Sequence, residues 1–166
     1  LSSAILVATS RELVQSVKSE VQHQLAGLSR KQIAEQSIED FGAVFVVGDI
    51  NAAMALSNRI APEHLELQIR DPFAWLPLVK NAGAVFLGAY TPEPVGDYMA
   101  GPNHVLPTGG SARFSSALSV DCFVKQSSVV YYSKDAFERE ADAIAGLAEI
   151  EGLSAHAASI RQRLKS

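Results

Sequence analysis

The chain of 166 residues has a single cysteine, Cys122, so no disulfide can close within it and a cross-linked scaffold is excluded. No apolar run approaches the length that spans a bilayer. The opening LSSAILVATS lacks a basic stretch ahead of its apolar residues, so no secretory signal is expected. Lys and Arg number 14 against 18 acidic residues and are scattered, and the formal net charge is -4 with a pI near 5.5. That balance argues against a nucleic-acid groove. There is no internal repeat at solenoid spacing and no low-complexity segment. Thr108, Gly109 and Gly110 invite a phosphate-loop reading, but no Lys follows at the required spacing and no G-x-G-x-x-G opens a helix. What remains is a globular chain whose 48% hydrophobic content suffices for a core. The expected partners are small molecules or protein, with no nucleic acid and no membrane, in a reducing cytoplasm.

The apolar patterning predicts alternating strands and helices. Ala4 to Ala8 reads as a strand covered on both faces. Thr9 with Glu12 forms a capping box for a helix whose Leu13, Val17, Val21 and Leu25 recur at helical spacing. His23 falls on its polar side. A second helix spans Lys31 to Asp40, closed by Gly42. Ala43 to Val47 is the next buried strand, and Asp49 caps a helix that turns Ala53, Leu56 and Ile60 inward. Leu65 to Ile69 alternates as a half-exposed strand, Pro72 to Lys80 forms a short helix, and Ala84 to Leu87 is another strand. Further on come one helical turn over Val120 to Lys125, a strand over Val129 to Tyr132, and two helices, from Ser133 and from about Ser154 to Leu164, broken by Gly152. This rhythm predicts an α/β fold: an incomplete, Rossmann-like parallel-sheet domain over 1–132 and a helical tail over 133–166 that needs a partner surface.

The strand at Ala84 to Leu87 feeds a long loop, and sites in open parallel sheets gather at such carboxyl ends. Within the loop, Asp97 and His104 lie among Gly96, Gly101, Pro102 and Asn103, where the backbone can aim both side chains into one space. A carboxylate and an imidazole so placed suit metal ligation, acid/base chemistry or an ordinary hydrogen-bonded turn. Glu63-His64 follows Pro62 on a turn out of a helix, where adjacent side chains can converge on one ligand. Read alone, that pair is a surface Glu-His. His156 lies near the apolar face of its helix and Glu151 at a helix junction, so packing and solvation are their plain readings. Cys122 shows no Cys-His arrangement and is not expected to be a nucleophile.

Five ordered motifs carry a resemblance: Ala61-Pro62-Glu63-His64-Leu65, Asn81-Ala82-Gly83-Ala84, Gly96-Asp97-Tyr98, Gly101 to Thr108, and Ala112-Arg113-Phe114-Ser115-Ser116. They resemble the C-terminal part of histidinol dehydrogenase, in a match that runs over nearly the whole chain and ends with Glu151-Gly152-Leu153-Ser154-Ala155-His156. The resemblance implies oxidation of L-histidinol to L-histidine through the aldehyde, with two NAD-dependent hydride transfers. It implies His64 as the base for the alcohol proton and Glu63 as the group that activates water in the second oxidation. It further implies Asp97 and His156 as zinc ligands, and His104, Asp97, Glu151 and His156 as substrate contacts. The remaining zinc ligands and the principal NAD contacts are expected in an N-terminal portion outside this sequence, so the chain alone is expected to be inactive. A homodimer is expected, with Glu151 and His156 on the tail reaching the other subunit. Two alternatives stay open: a zinc-dependent NAD dehydrogenase of another small alcohol, and a non-catalytic dimerising fragment.

Overall fold

Parallel strands need a crossover between them, and in the computed structural model, which describes residues 2–165, helices supply it. β1 (Ile5–Ala8) is followed by α1 (Arg11–Leu25) and α2 (Lys31–Phe41) before β2 (Ala43–Val46) returns parallel to β1, with Ile5 opposite Ala43. Next come α3 (Ile50–Ile60), β3 (His64–Leu67), α4 (Pro72–Trp75) with a 3₁₀ turn over Leu76–Leu78, and β4 (Ala84–Leu87). β4 runs parallel to β3, with His64 opposite Ala84. The expected parallel, helix-crossed pairing is therefore present. Among the described residues the strands form two two-stranded sheets rather than one continuous sheet.

The chain divides into two compact units, Leu1–Cys122 and Phe123–Ser166. In the first unit the core is small, formed by Ala8, Val14, Met54, Ala61, Leu67, Phe86 and Ala112. Several sequence expectations change here. The cap of α1 is Ser10 rather than Thr9; its hydroxyl accepts from the Leu13 N–H and donates to Glu12. Val14 is the buried residue of α1, while Leu13 stays exposed. Nor is β2 covered on both faces: Val44, Phe45 and Val46 are each about 40% exposed, because a two-stranded sheet leaves an edge and much of each face open. Asp49 caps α3 as expected, accepting from the Ala52 N–H.

The second unit holds α6 (Lys134–Ile150) and α7 (Ser154–Arg163), joined through Gly152, whose φ of 73° is left-handed. Ser133 caps α6 by accepting from the Ala136 N–H. The helices pack through Ala141, Ala145 and Ala157, each 1% exposed, whereas Leu147 lies outside. Small side chains let the backbones approach, so the larger apolar residues mark the seam poorly. No strand forms over 129–132. Val129, Val130 and Tyr131 are more than four-fifths exposed, and no neighbouring strand takes up their backbone groups among the described residues.

Candidate functional site

Three local features bring the site together. The first is the turn from α3 to β3. Ala61 caps α3 with φ 53°, a left-handed value uncommon for a residue with a Cβ, and Pro62 follows, so the chain reverses sharply into Glu63 and His64. Asn58 secures that corner: its carboxamide oxygen accepts from the Lys80 and Asn81 N–H groups, at 2.7 and 3.2 Å, and its NH₂ donates to the Leu78 carbonyl.

The second feature is a pair of close approaches that need glycine. A Cβ at Gly83 would lie 2.6 Å from the Glu63 carbonyl oxygen and 3.0 Å from the Pro107 ring, and one at Gly96 would lie 2.6 Å from the Phe86 ring. Gly96 belongs to α5 (Glu93–Tyr98), a short helix within the loop that follows β4. Its missing side chain lets α5 sit directly on β4, which sets the position of Asp97. A recess of about 300 Å³ lies there, lined by Phe86, Gly96, Asp97, Pro102, Asn103 and Leu106 among others.

The third feature is the loop 99–118 itself. Gly101 takes φ 96°, Asn103 accepts from the Val105 N–H and bonds the Leu118 carbonyl, and Arg113 bonds the carbonyls of Gly110 and Arg59. These bonds bring His104 back over α5.

The result is a cluster of two imidazoles and two carboxyls. One ligand atom from each of His64, Glu93, Asp97 and His104 lies within 4.8 Å of all the others. The Asp97 and His104 side chains meet as their spacing suggested, Oδ1 to Nδ1 at 2.7 Å. That bond holds the Asp97 carboxyl below its ordinary range, with Glu93 as a lesser cause, and it raises His104. Glu93 moves the other way. Its hydrogen bond with Asp97, then desolvation and the nearby charge, push its carboxyl up, as expected where two carboxyls share one space. His64 Nε2 is buried without a hydrogen-bond partner and lies 3.9 Å from Glu93 Oε1. Its ring sits 5.9 Å from that of Phe86 and 6.3 Å from that of His104. Glu63, adjacent in the chain, is half-buried, and its charge contributes to the rise at His104.

Four of the six residues singled out from sequence thus lie in the first unit. The other two lie in the second, where Glu151 ends α6 and His156 is exposed on α7; both line a recess of about 410 Å³ with Ile144, Leu147, Ser159 and Ile160. Glu93 was not singled out. The available signal was its position four residues before Asp97, which on a helix places both carboxyls on one side.

Imidazole and carboxyl donors converging over one face of the β3–β4 pair, rather than at the carboxyl ends of the strands, define a site for acid/base chemistry or for a divalent cation. The comparisons are more specific. The model of the histidinol dehydrogenase family matches residues 1–164, and this chain belongs to that family. It is 56% identical over 165 residues to the histidinol dehydrogenase of Geobacter metallireducens and 52% identical over 163 to that of Aquifex aeolicus. These alignments take in 99% and 98% of this chain and 38% of each relative, so the chain spans well under half the length of the curated relatives it matches. The crystal structure of histidinol dehydrogenase from Elizabethkingia anophelis superposes with a TM-score of 0.87 at 37% identity, covering 97% of this chain and 37% of that one.

Proposed function

We propose that this chain is the C-terminal part of a histidinol dehydrogenase, which oxidises L-histidinol to L-histidine through the aldehyde in two NAD-dependent steps, as a cytoplasmic enzyme of histidine biosynthesis. An imidazole nitrogen that is buried yet unbonded, His64 Nε2, carries this reading, because it sits beside the Asp97–His104 pair with its lone pair or proton uncommitted. A nitrogen so placed suits proton transfer. In the first oxidation His64 takes the proton of the substrate hydroxyl as hydride leaves the carbon. In the second, Glu63 takes a proton from the water that attacks the aldehyde carbon.

Asp97 and His156 are of the kinds that fit zinc, since carboxylate oxygen and imidazole nitrogen are its ordinary non-sulfur ligands. Asp97 and His156 would hold it together with ligands from an N-terminal portion, leaving His64 free for the proton. When bound, zinc supplies positive charge that anchors the substrate amino and imidazole nitrogens, and NAD accepts the hydride. His104 and Glu151 hold the polar ends of the amino alcohol by complementary charge and directed hydrogen bonds. We read residues 1–132 as a Rossmann-like domain and 133–166 as a tail that packs on a second subunit and carries Glu151 and His156 to its site.

Two measurements test the proposal. A full-length enzyme carrying this chain as its C-terminal part forms NADH from L-histidinol, while the chain alone does not; NADH formed by the chain alone overturns the division of labour. In the full-length enzyme Asp97→Ala lowers zinc content, and an unchanged zinc content overturns the ligand assignment.

A further inference from the structure

The carboxyl that sequence reading passed over, Glu93, is the group that faces His64. Asp97 Oδ1 bonds His104 Nδ1 at 2.7 Å, and no hydrogen bond joins Asp97 to His64 Nε2 among the described residues. Glu93 Oε1 lies 3.9 Å from His64 Nε2, and that nitrogen has no other partner among the described residues.

The placement of Glu93 is set by the strand that carries His64. Side chains two apart on a strand share one face, so His64 and Glu66 of β3 point the same way. Glu66 Oε1 accepts the Glu93 N–H at 2.9 Å, which fastens the first residue of α5 to that face. Pro92 and Pro94 on either side of Glu93 restrict the backbone dihedrals at the start of the helix. The spacing of His64 and Glu93 is therefore built through one strand and one tethered helix start.

We propose that Glu93 is a positioning residue for His64, orienting its imidazole and stabilising the positive charge the ring acquires on taking the substrate proton. This deepens the reading above and rests on His64 being the base. At 3.9 Å the contact is longer than a hydrogen bond, so Glu93 acts on the ring through its charge. Glu93 faces the same Nε2 that takes the proton, and a carboxylate so placed favours the cationic ring by charge while making no contact with the reacting carbon.

The test is a double-mutant cycle on the full-length enzyme, reading initial rates of NADH formation at saturating L-histidinol for His64→Gln, Glu93→Gln and the pair. Glu93→Gln should lower kcat roughly tenfold to hundredfold, a share of the roughly 10²–10⁴ a positioned base supplies, with KM for L-histidinol within about threefold. Zinc content should be unchanged, and the double variant no slower than His64→Gln alone. An unchanged kcat, losses that multiply in the double variant, or loss of zinc from Glu93→Gln each overturn the assignment. If His64→Gln keeps the wild-type kcat, the base assignment itself is wrong and this inference falls with it; if only Glu93→Gln keeps it, this inference alone falls. Should Glu93→Gln fail to fold, Glu93→Asp, one methylene shorter with the same charge, should lower kcat several-fold at unchanged KM. A wild-type kcat in that variant overturns the assignment equally.

Discussion

Gly96→Ala tests whether α5 is held where it is by contact with β4. The added Cβ would stand 2.6 Å from Phe86 Cε1 and 3.0 Å from Cζ. Carbon atoms rest about 3.5–4.0 Å apart, so one partner must retreat by roughly 1 Å. Phe86 is 6% exposed and sits within β4, paired to β3, so the ring has little room to yield. The retreat then falls to α5, which carries Asp97 one residue beyond. A 1 Å displacement, on the order of what the overlap demands, stretches the 2.7 Å Asp97–His104 bond past hydrogen-bonding range. Overpacking of this kind costs about 1–3 kcal/mol. Urea denaturation of this chain reads the loss, with Gly146→Ala in α6 as control. An added Cβ there meets nothing within 4 Å. That control should gain about 0.5–1 kcal/mol from the better helix propensity of alanine. A Gly96→Ala variant as stable as wild type, or an Asp97–His104 pair still intact in its crystal structure, refutes the reasoning.

Asn58→Ala should cost about 1–3 kcal/mol in the same assay, because the N–H groups of Lys80 and Asn81 and the Leu78 carbonyl lose their common partner; a loss below about 0.5 kcal/mol would mean water replaces the side chain. The ion pair of Glu149 with Arg161, 2.6 Å across α6 and α7, makes a pH prediction. Arg161 holds the folded Glu149 carboxyl below its ordinary 4.5, so the pair's contribution is fully present above about pH 4.5 and is lost as pH falls through the lowered folded value. Arg161→Gln should flatten that part of the acid denaturation profile, and superimposable profiles would remove the pair from the account.

Much of the local structure was legible because it rests on short-range chemistry. Asp49 and Ser133 cap the helices they precede, Pro62 marks the exit from α3, and Gly152 breaks α6 from α7. Asp97 and His104 could be paired from spacing, since the glycines around them permit the sharp turns that bring both side chains into one space. What was not legible depends on neighbours. The apolar run of β2 reads as a covered strand, but a two-stranded sheet covers little of it. Val129 to Tyr132 has strand composition without a strand to pair with. In the second unit, alanines form the seam, and the larger apolar residues of α6 mark it poorly. Glu93 escaped notice because its local signal is only the four-residue spacing to Asp97: its importance comes from Glu66 and His64, 27 and 29 residues earlier in the chain.

The central claim is that His64 is the group that moves the substrate proton. It is tested most directly by the initial rate of NADH formation from L-histidinol by the full-length enzyme carrying this chain, wild type against His64→Gln. The His64→Gln variant should show a fall in kcat of roughly 10²–10⁴ with zinc retained. A rate within about twofold of wild type would contradict it, since an interaction removed without effect on kcat plays no part in the transition state.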